Sequence, residues 1–188
     1  IIEWAAPTTT DNCPSPSLFT SHPSGSFFSV GNTTVTYTAT DINGLTVSSS
    51  FEISISDDEA PSFVTSPGDM ELDTNSAQCV ATAVWDAPQT SDNCGVLSLG
   101  SDYPSGMQFP VGTTLVTMTL QDINGNSSSH QFSISVTDME APQLFGMPDD
   151  ISITSEPDLC GATVSWPEPS SADNCPDSST TSTHSSGE

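Results

Sequence analysis

Apolar and polar side chains alternate along several short segments of this chain, which is the pattern of β-strands that bury one face. Two consecutive segments show it best, with serine or threonine between the apolar positions: Val116, Met118 and Leu120, then Phe132, Ile134 and Val136. The same alternation occurs earlier, at Val35, Tyr37 and Ala39 and at Phe51, Ile53 and Ile55. No long segment has the 3.6-residue apolar spacing of an amphipathic helix. The pattern predicts an all-β protein.

Shorter strands are predicted around these segments. They are Met70 with Leu72, a strand from Val80 through Ala83 and Val84 to Trp85, and Leu97 with Leu99. About seven short strands in roughly 80 residues, each with one apolar face, predict a small two-sheet β-sandwich.

The chain also repeats itself. Trp4, Trp85 and Trp166 lie 81 residues apart. An Asp-Asn-Cys sequence recurs with the same period, at 11–13, 92–94 and 173–175. Because the period holds without an insertion, the chain is predicted to consist of tandem copies of one module.

The period predicts three domains: a partial repeat at 1–57, a complete repeat at 58–138 and a partial repeat at 139–188. The first lacks its opening strands because Ile1 aligns with Thr82. The third lacks its last strands because Glu188 aligns with Met107. Either the sequence is a window on a longer array, or neighbouring subunits complete the partial modules by strand donation. We favour the longer array.

Two Asn-Gly pairs, Asn43-Gly44 and Asn124-Gly125, each stand between two alternating segments. This is a strong signal for a tight hairpin turn. The segment Asp122–Asn126 also resembles the start of a calcium-binding loop, but no glutamate follows at the expected spacing. We interpret both sites as hairpin turns.

The charge of the chain is entirely acidic. It has 24 Asp and Glu residues, no Lys or Arg and a formal net charge of −24. Nucleic-acid binding requires cations that neutralise phosphates, and an anionic membrane surface repels such a chain. No apolar run approaches the ~20 residues of a membrane-spanning helix. We therefore expect neither nucleic-acid binding nor membrane insertion.

The cysteines follow the same repeat. Cys79 and Cys94 are 15 residues apart, and so are Cys160 and Cys175. The partner of Cys13 would lie three positions before Ile1, outside the chain, or in a neighbouring subunit. The spacing predicts one disulfide per module, Cys79–Cys94 and Cys160–Cys175, in an oxidising compartment. A zinc site is the alternative, although one cysteine pair without clustered histidines is a poor ligand set.

These motifs together resemble the hyalin repeat, or HYR domain. They are Cys79-x5-Trp85, the Asp-Asn-Cys sequence, Phe109–Thr114, Gln121–Asn126 and the run from Phe132 to Pro142. The resemblance covers the whole chain and implies tandem immunoglobulin-like sandwiches in an extracellular protein, without enzymatic activity. One departure is that Ser49 and His130 stand where many family members carry a further cysteine.

Acidic linkers precede a proline between consecutive modules. They contain Asp57, Asp58 and Glu59 at one boundary and Asp138 and Glu140 at the next. Carboxylates at a junction between β-domains suit calcium, which takes six to eight oxygen ligands. The alternative is a solvated acidic spacer that aids solubility.

Two further groups of residues could take part in binding or catalysis. Trp85 and Trp166 could stack on sugars, but we expect them in the core beside the disulfide. The histidines His22, His130 and His184 belong to no catalytic or metal-binding pattern. We therefore expect no enzymatic activity and no catalytic residue.

Asn32 and Asn126 begin N-glycosylation sequons in predicted turns. Serine and threonine runs at 48–50, 127–129 and 178–183 suit O-linked sugars or polar strand faces. We expect a glycoprotein if the source is a secreted eukaryotic protein.

The sequence predicts an extracellular structural protein: a segment of a tandem array that forms a stalk, matrix fibre or cell-surface filament. A fixed repeat length favours regular spacing between modules. Its expected partners are neighbouring copies of itself, head to tail or side by side, with calcium as the possible bound ion. The alternative is an adhesion or ligand-binding receptor ectodomain whose binding head lies elsewhere.

Overall fold

The computed structural model describes residues 1–13, 16–176 and 178–187. It contains two compact units, Ile1–Glu59 and Ala60–Glu188, which are described separately below. About 39% of the residues lie in strands, and the described part of the chain contains no helix. The predicted all-β class is confirmed.

The first unit is built on one antiparallel sheet. Its strands are β1 (Ser17–Thr20), β2 (Gly31–Thr40) and β3 (Thr46–Ile55), with β2 in the centre. Val35, Tyr37 and Ile53 form its buried core, and the Trp4 indole packs against them. The Trp4 Nε1–H donates to the Tyr37 hydroxyl at 2.8 Å.

The second unit begins with the complete repeat, whose strands are listed here in chain order: β4 (Ser62–Phe63), β5 (Met70–Asp73), β6 (Val80–Thr82), β7 (Thr90–Ser91), β8 (Val96–Ser101), β9 (Gln108–Pro110), β10 (Gly112–Asp122) and β11 (Ser127–Thr137). The main sheet has the order β5-β11-β10-β8, and only the β5–β11 pair is parallel. Two short antiparallel pairs, β4–β7 and β6–β9, complete the described strands of this repeat.

The core of this repeat lies between the main sheet and the β6–β9 pair. Ala81 and Phe109 come from the short pair, and β10 and β11 contribute five of the six predicted alternating residues, all but Leu120. All six of these, from Val116 to Val136, are at most 4% exposed. The predicted inward face of both strands is confirmed, and side chains from two layers meet as in a β-sandwich.

The third repeat contributes two strands to the same unit, β12 (Gln143–Phe145) and β13 (Ser170–Ala172). They pair antiparallel, as β4 and β7 do one period earlier. The repeat in the sequence is therefore also a repeat in the backbone pairing.

Both Asn-Gly turns lie where they were predicted. The hairpin pairing ends at Thr40 with Thr46 and at Gln121 with Ser127, so five residues, 41–45 and 122–126, connect the last paired positions of each hairpin. Gly44 and Gly125 have φ of 84° and 98°, a conformation that a side chain disfavours. The first aspartate of each loop accepts two backbone N–H bonds through Oδ1, at 2.8 and 2.9 Å.

Two details of the predicted strands are wrong. The strand at Val80 ends at Thr82, because the Ala83 N–H donates to Met107 and the Trp85 N–H to the Ser105 hydroxyl instead of a continuous ladder. Phe51 was predicted to face inward but is 40% exposed. Its counterpart Phe132 is 2% exposed.

The buried face of β10 generates a test with a matched control in the same strand. Leu120 is fully buried, whereas Leu115 is 54% exposed. Leu120→Ala should lower the free energy of unfolding of the second unit by about 2–5 kcal/mol, because it opens a cavity. Leu115→Ala should change it by well under 1 kcal/mol. Chemical denaturation followed by tryptophan fluorescence measures both, and equal losses would contradict this sandwich core.

Candidate functional site

A disulfide bond joins the second repeat to the third. It links Cys79 to Cys175, which are 96 residues apart in sequence and 4.7 Å apart at their Cα atoms. The predicted pairs Cys79–Cys94 and Cys160–Cys175 are therefore wrong. The separation of 96 residues is one period of 81 plus the spacing of 15. Cys175 thus stands in the third repeat where Cys94 stands in the second.

The Asp-Asn-Cys sequence forms the same turn in every copy. In each one the cysteine N–H donates to Oδ1 of the aspartate, at 2.7 Å in 11–13 and at 2.9 Å in 92–94 and 173–175. Such an Asx turn stabilises the loop without help from the strands. It also holds the cysteine in one position, which a disulfide requires.

Asn174, in the middle of that turn, contacts the second repeat. Its Nδ2 lies 3.1 Å from the Gln78 carbonyl oxygen, 3.3 Å from the Thr74 hydroxyl and 3.1 Å from Asp138 Oδ1. These three acceptors belong to the turn between β5 and β6 and to the linker. The amide thus binds the segment that carries Cys79, so the hydrogen bonds and the disulfide hold the same junction.

The linker carboxylates take part in the same junction. Asp138 Oδ1 accepts from the Thr74 hydroxyl at 3.2 Å and from the Glu140 N–H at 3.1 Å. Glu140 Oε2 accepts from the Ala77 N–H at 3.0 Å. Ala77 has a φ of 57°, in the left-handed region, and this conformation is part of the turn that presents its N–H to Glu140.

These contacts favour the ionised form of Asp138. The Glu140 backbone N–H, and then the Asn174 amide, lower the pKa of Asp138 below its ordinary value. A lowered pKa means that the carboxylate stabilises the junction above the ordinary carboxyl pKa. This stabilisation is lost as the pH falls through the lowered pKa.

The other predicted calcium ligands lie in the first unit. Asp57 Oδ1 accepts from the Glu59 N–H at 3.3 Å, and Asp58 and Glu59 are exposed. Calcium binding by these residues, and by Asp138 and Glu140, stays a prediction.

A different pair of carboxylates stands out within the complete repeat. Carboxylate oxygens of Asp92 and Asp122 lie within 4.8 Å of each other, and Asp122 is completely buried. Asp92 Oδ2 is buried and has no hydrogen-bond partner among the residues that the structure describes. The sequence predicts a hairpin turn at Asp122 and shows Asp92 only as part of the repeated Asp-Asn-Cys sequence, and neither pattern indicates that the two carboxylates meet. The chain has no Lys or Arg that could offset these two neighbouring charges.

Comparison with known proteins identifies the module. The family model of the HYR domain matches residues 1–55 and again 56–136. The chain belongs to the HYR family. It is 34% identical to the protein named hyalin of Lytechinus variegatus over 93% of this chain, and to that of Strongylocentrotus purpuratus over 91%. It is 35% identical to a rat sushi, von Willebrand factor type A, EGF and pentraxin domain-containing protein over 67% of this chain.

The chain spans only part of each of these relatives. It covers 34% of the Lytechinus protein, 15% of the Strongylocentrotus protein and 4% of the rat protein.

The residues that the structure describes include no helix long and apolar enough to cross a membrane.

The tryptophan of the complete HYR repeat lies at the core, as predicted. The Trp85 ring packs edge to face on Phe132 at 5.2 Å and is tilted against Phe109 at 6.4 Å. The prediction that a disulfide within the same repeat lies beside this ring is wrong, because Cys79 pairs with a cysteine of the next repeat. Trp166 repeats the backbone bond of Trp85, since its N–H donates to Ser186 Oγ at 2.9 Å.

The histidines occupy structural positions in these repeats. His130 Nε2 donates to the Pro67 carbonyl oxygen at 2.8 Å, and its ring stacks on Phe132. His22 and His184 each contact the hydroxyl of the preceding residue.

The two sequons differ in accessibility. Asn32 is exposed at the start of β2. Asn126 lies in the β10–β11 loop, where its Nδ2 donates to Asp122 Oδ2 at 2.8 Å. Glycosylation of either asparagine stays a prediction, and Asn32 is the more exposed of the two.

The disulfide between HYR repeats can be mapped in the unreduced chain. Cleavage before aspartate yields four peptides that hold one cysteine each: 73–85 with Cys79, 92–101 with Cys94, 158–172 with Cys160 and 173–176 with Cys175. We expect 73–85 to be linked to 173–176. A link between 158–172 and 173–176 would contradict the structure.

The matched variants for this bond are the double change Cys79→Ser with Cys175→Ser and the single change Cys160→Ser. The double change should lower the unfolding free energy of the second unit by about 2–4 kcal/mol, because the unfolded chain regains loop entropy. The single change should leave it unaltered, since Cys160 is an exposed free thiol.

Proposed function

We propose that this chain is a segment of an extracellular structural array of HYR repeats, which forms a stalk, matrix fibre or cell-surface filament. The observation that carries the proposal is the junction between the second and third repeats. There a disulfide and the Asn174 amide fasten consecutive modules, in addition to the linker peptide. A junction with a second covalent connection keeps its geometry under tension, which a flexible linker does not.

The disulfide also supports the location. Stable disulfides belong to oxidising compartments, so the protein is secreted or faces the cell exterior. The array itself is not an enzyme: its histidines have structural partners, and its fold family supplies binding and structural modules.

The partners of the array are further copies of the same module, head to tail or side by side. Its uniform negative charge disfavours nucleic acids and anionic membranes. A sugar at Asn32 would lie on the exposed start of β2 and would keep neighbouring arrays apart.

A second function has its own support. The rat relative carries sushi, von Willebrand factor type A, EGF and pentraxin domains by name, so HYR repeats also occur inside multidomain proteins. In that setting the present chain would be the spacer of an adhesion or ligand-binding receptor. Its binding head would lie in another domain.

The structural proposal is tested by the length of extended arrays. Because Glu188 aligns with Met107, copies of residues 108–188 can be added after Glu188 in register. Each added copy should lengthen the particle by a constant ~35–40 Å, the length of strands plus end loops. Electron microscopy of shadowed molecules and small-angle X-ray scattering measure the increment. Particles that grow only in thickness, or that bend freely at every junction, would contradict a structural array.

Calcium binding is a further part of the proposal, centred on Asp92 and Asp122. A calcium ion there would offset two neighbouring carboxylates and would bind only the folded repeat. At about 100 times its dissociation constant, it should add about 2.7 kcal/mol to the unfolding free energy. The rise should appear in thermal melts with calcium and not with sodium at matched ionic strength.

Variants separate this site from the linker. Asp122→Asn keeps an oxygen that accepts the loop N–H groups, and it should abolish the stabilisation by calcium. The control Asp86→Asn changes an exposed carboxylate and should leave that stabilisation intact. Loss of the effect in Asp138→Asn with Glu140→Gln, but not in Asp122→Asn, would instead place the ion at the linker. Identical melts with calcium and with chelator would contradict both sites.

A further inference from the structure

The segment that receives Asn174 and Cys175 is a turn of defined geometry. It comprises residues 74–80 and is called the Cys79 turn. The Asn75 N–H donates to the Val80 carbonyl at 2.7 Å, and the Gln78 N–H donates to the Asn75 carbonyl at 3.0 Å. Ala77 in this turn has a φ of 57°.

One period later the chain forms the same turn. Residues 155–161 are called the Cys160 turn. The Glu156 N–H donates to the Gly161 carbonyl at 2.9 Å, and the Leu159 N–H donates to the Glu156 carbonyl at 3.1 Å. Asp158, the counterpart of Ala77, has a φ of 66°. The two backbones therefore agree although their side chains differ.

The groups that hold the third repeat on the Cys79 turn have counterparts on the Cys160 turn. The Thr74 hydroxyl, an acceptor for Asn174, corresponds to the Ser155 hydroxyl. The Gln78 carbonyl corresponds to the Leu159 carbonyl. The Cys160 thiol is exposed and free, whereas its counterpart Cys79 is bonded. The Cys160 turn thus presents the same two acceptors and the same sulfur, open to solvent.

We propose that the Cys160 turn is a disulfide-forming docking site for the Asp-Asn-Cys segment of a following HYR repeat. The asparagine of that segment donates to Ser155 Oγ and to the Leu159 carbonyl, and its cysteine bonds to Cys160. The link of 96 residues then recurs at successive junctions, so each junction is spanned by the linker and by a disulfide. This inference rests on the array proposed above.

The bond forms by thiol–disulfide exchange with a small disulfide such as oxidised glutathione. The Cys160 thiolate attacks one glutathione sulfur and releases one glutathione thiolate. The incoming cysteine thiolate then attacks Cys160 Sγ of the mixed disulfide and releases the second. Two protein thiols lose two protons and two electrons, and one oxidised glutathione becomes two reduced molecules.

The test uses the chain extended by one copy of residues 108–188 after Glu188. That copy supplies a new Asp-Asn-Cys segment 96 residues beyond Cys160. After refolding in glutathione buffer, peptide mapping should show Cys160 linked to the appended copy of Cys175 in the monomer. The bond between Cys79 and Cys175 in the same molecules serves as the internal standard of folding. In the Cys160→Ser control, the appended copy of Cys175 should become reactive to alkylation.

Two results would overturn the inference. One is a Cys160 that stays open to alkylation while Cys79–Cys175 forms. The other is a Cys160 bond to a second molecule, seen as a dimer on a non-reducing gel. In either case, constant length increments in the extended chains would still support the structural array, so the two proposals fail separately.

A second variant tests docking apart from the covalent bond. Changing the appended copy of Asn174 to Ala removes the hydrogen bonds that position its cysteine. The equilibrium constant for the Cys160 disulfide in glutathione buffer should fall roughly five-fold for each net hydrogen bond lost. The bond between Cys79 and Cys175 should form as before. An unchanged equilibrium constant would show that the turn only tethers the cysteine and does not dock its segment.

Discussion

The bond between Cys79 and Cys175 is the constraint on which the rest of the second unit depends. It brings the Asp-Asn-Cys turn of one repeat against the β5–β6 turn of the repeat before it. Hydrogen bonds form at the same junction, from Asn174 to Asp138 and from the Ala77 N–H to Glu140. A domain of about 80 residues has a modest core, and a staple of this kind is a common supplement to it. Here the staple fastens two domains instead of closing one.

The absence of lysine and arginine explains how the carboxylates are used. With no cationic side chain to pair with, they accept hydrogen bonds from the backbone and from amides. Asp122 and Asp41 close the hairpin loops, Asp173 closes an Asx turn, and Asp138 connects the linker to Thr74 of the preceding repeat. A carboxylate that accepts several N–H groups keeps its charge in the fold. Asp92 accepts two N–H groups through Oδ1, but its second oxygen, beside Asp122, is buried and has no partner among the described residues.

The junction unites two properties that a long array needs. The complete repeat buries the apolar faces of its strands within itself, and the first unit has a core of its own. The contacts between the second and third repeats are polar and covalent, and they involve turns, which leaves the sheets unchanged. Modules of this type can be added one after another without altering the core of their neighbours, which is the logic of repeat proteins.

The sequence by itself determined the β class, the period and the inward faces of the long strands. Each of these depends on local spacing: alternation identified Val116 and Ile134 as buried, and Asn-Gly identified the hairpin loops. It could not decide which cysteine pairs with Cys79, because Cys94 and Cys175 lie in identical motifs one period apart. The choice depends on where one turn lies relative to another in space. Likewise, the pairing of Asp92 with Asp122 joins two loops 30 residues apart in sequence, and only the packing of their strands brings them together.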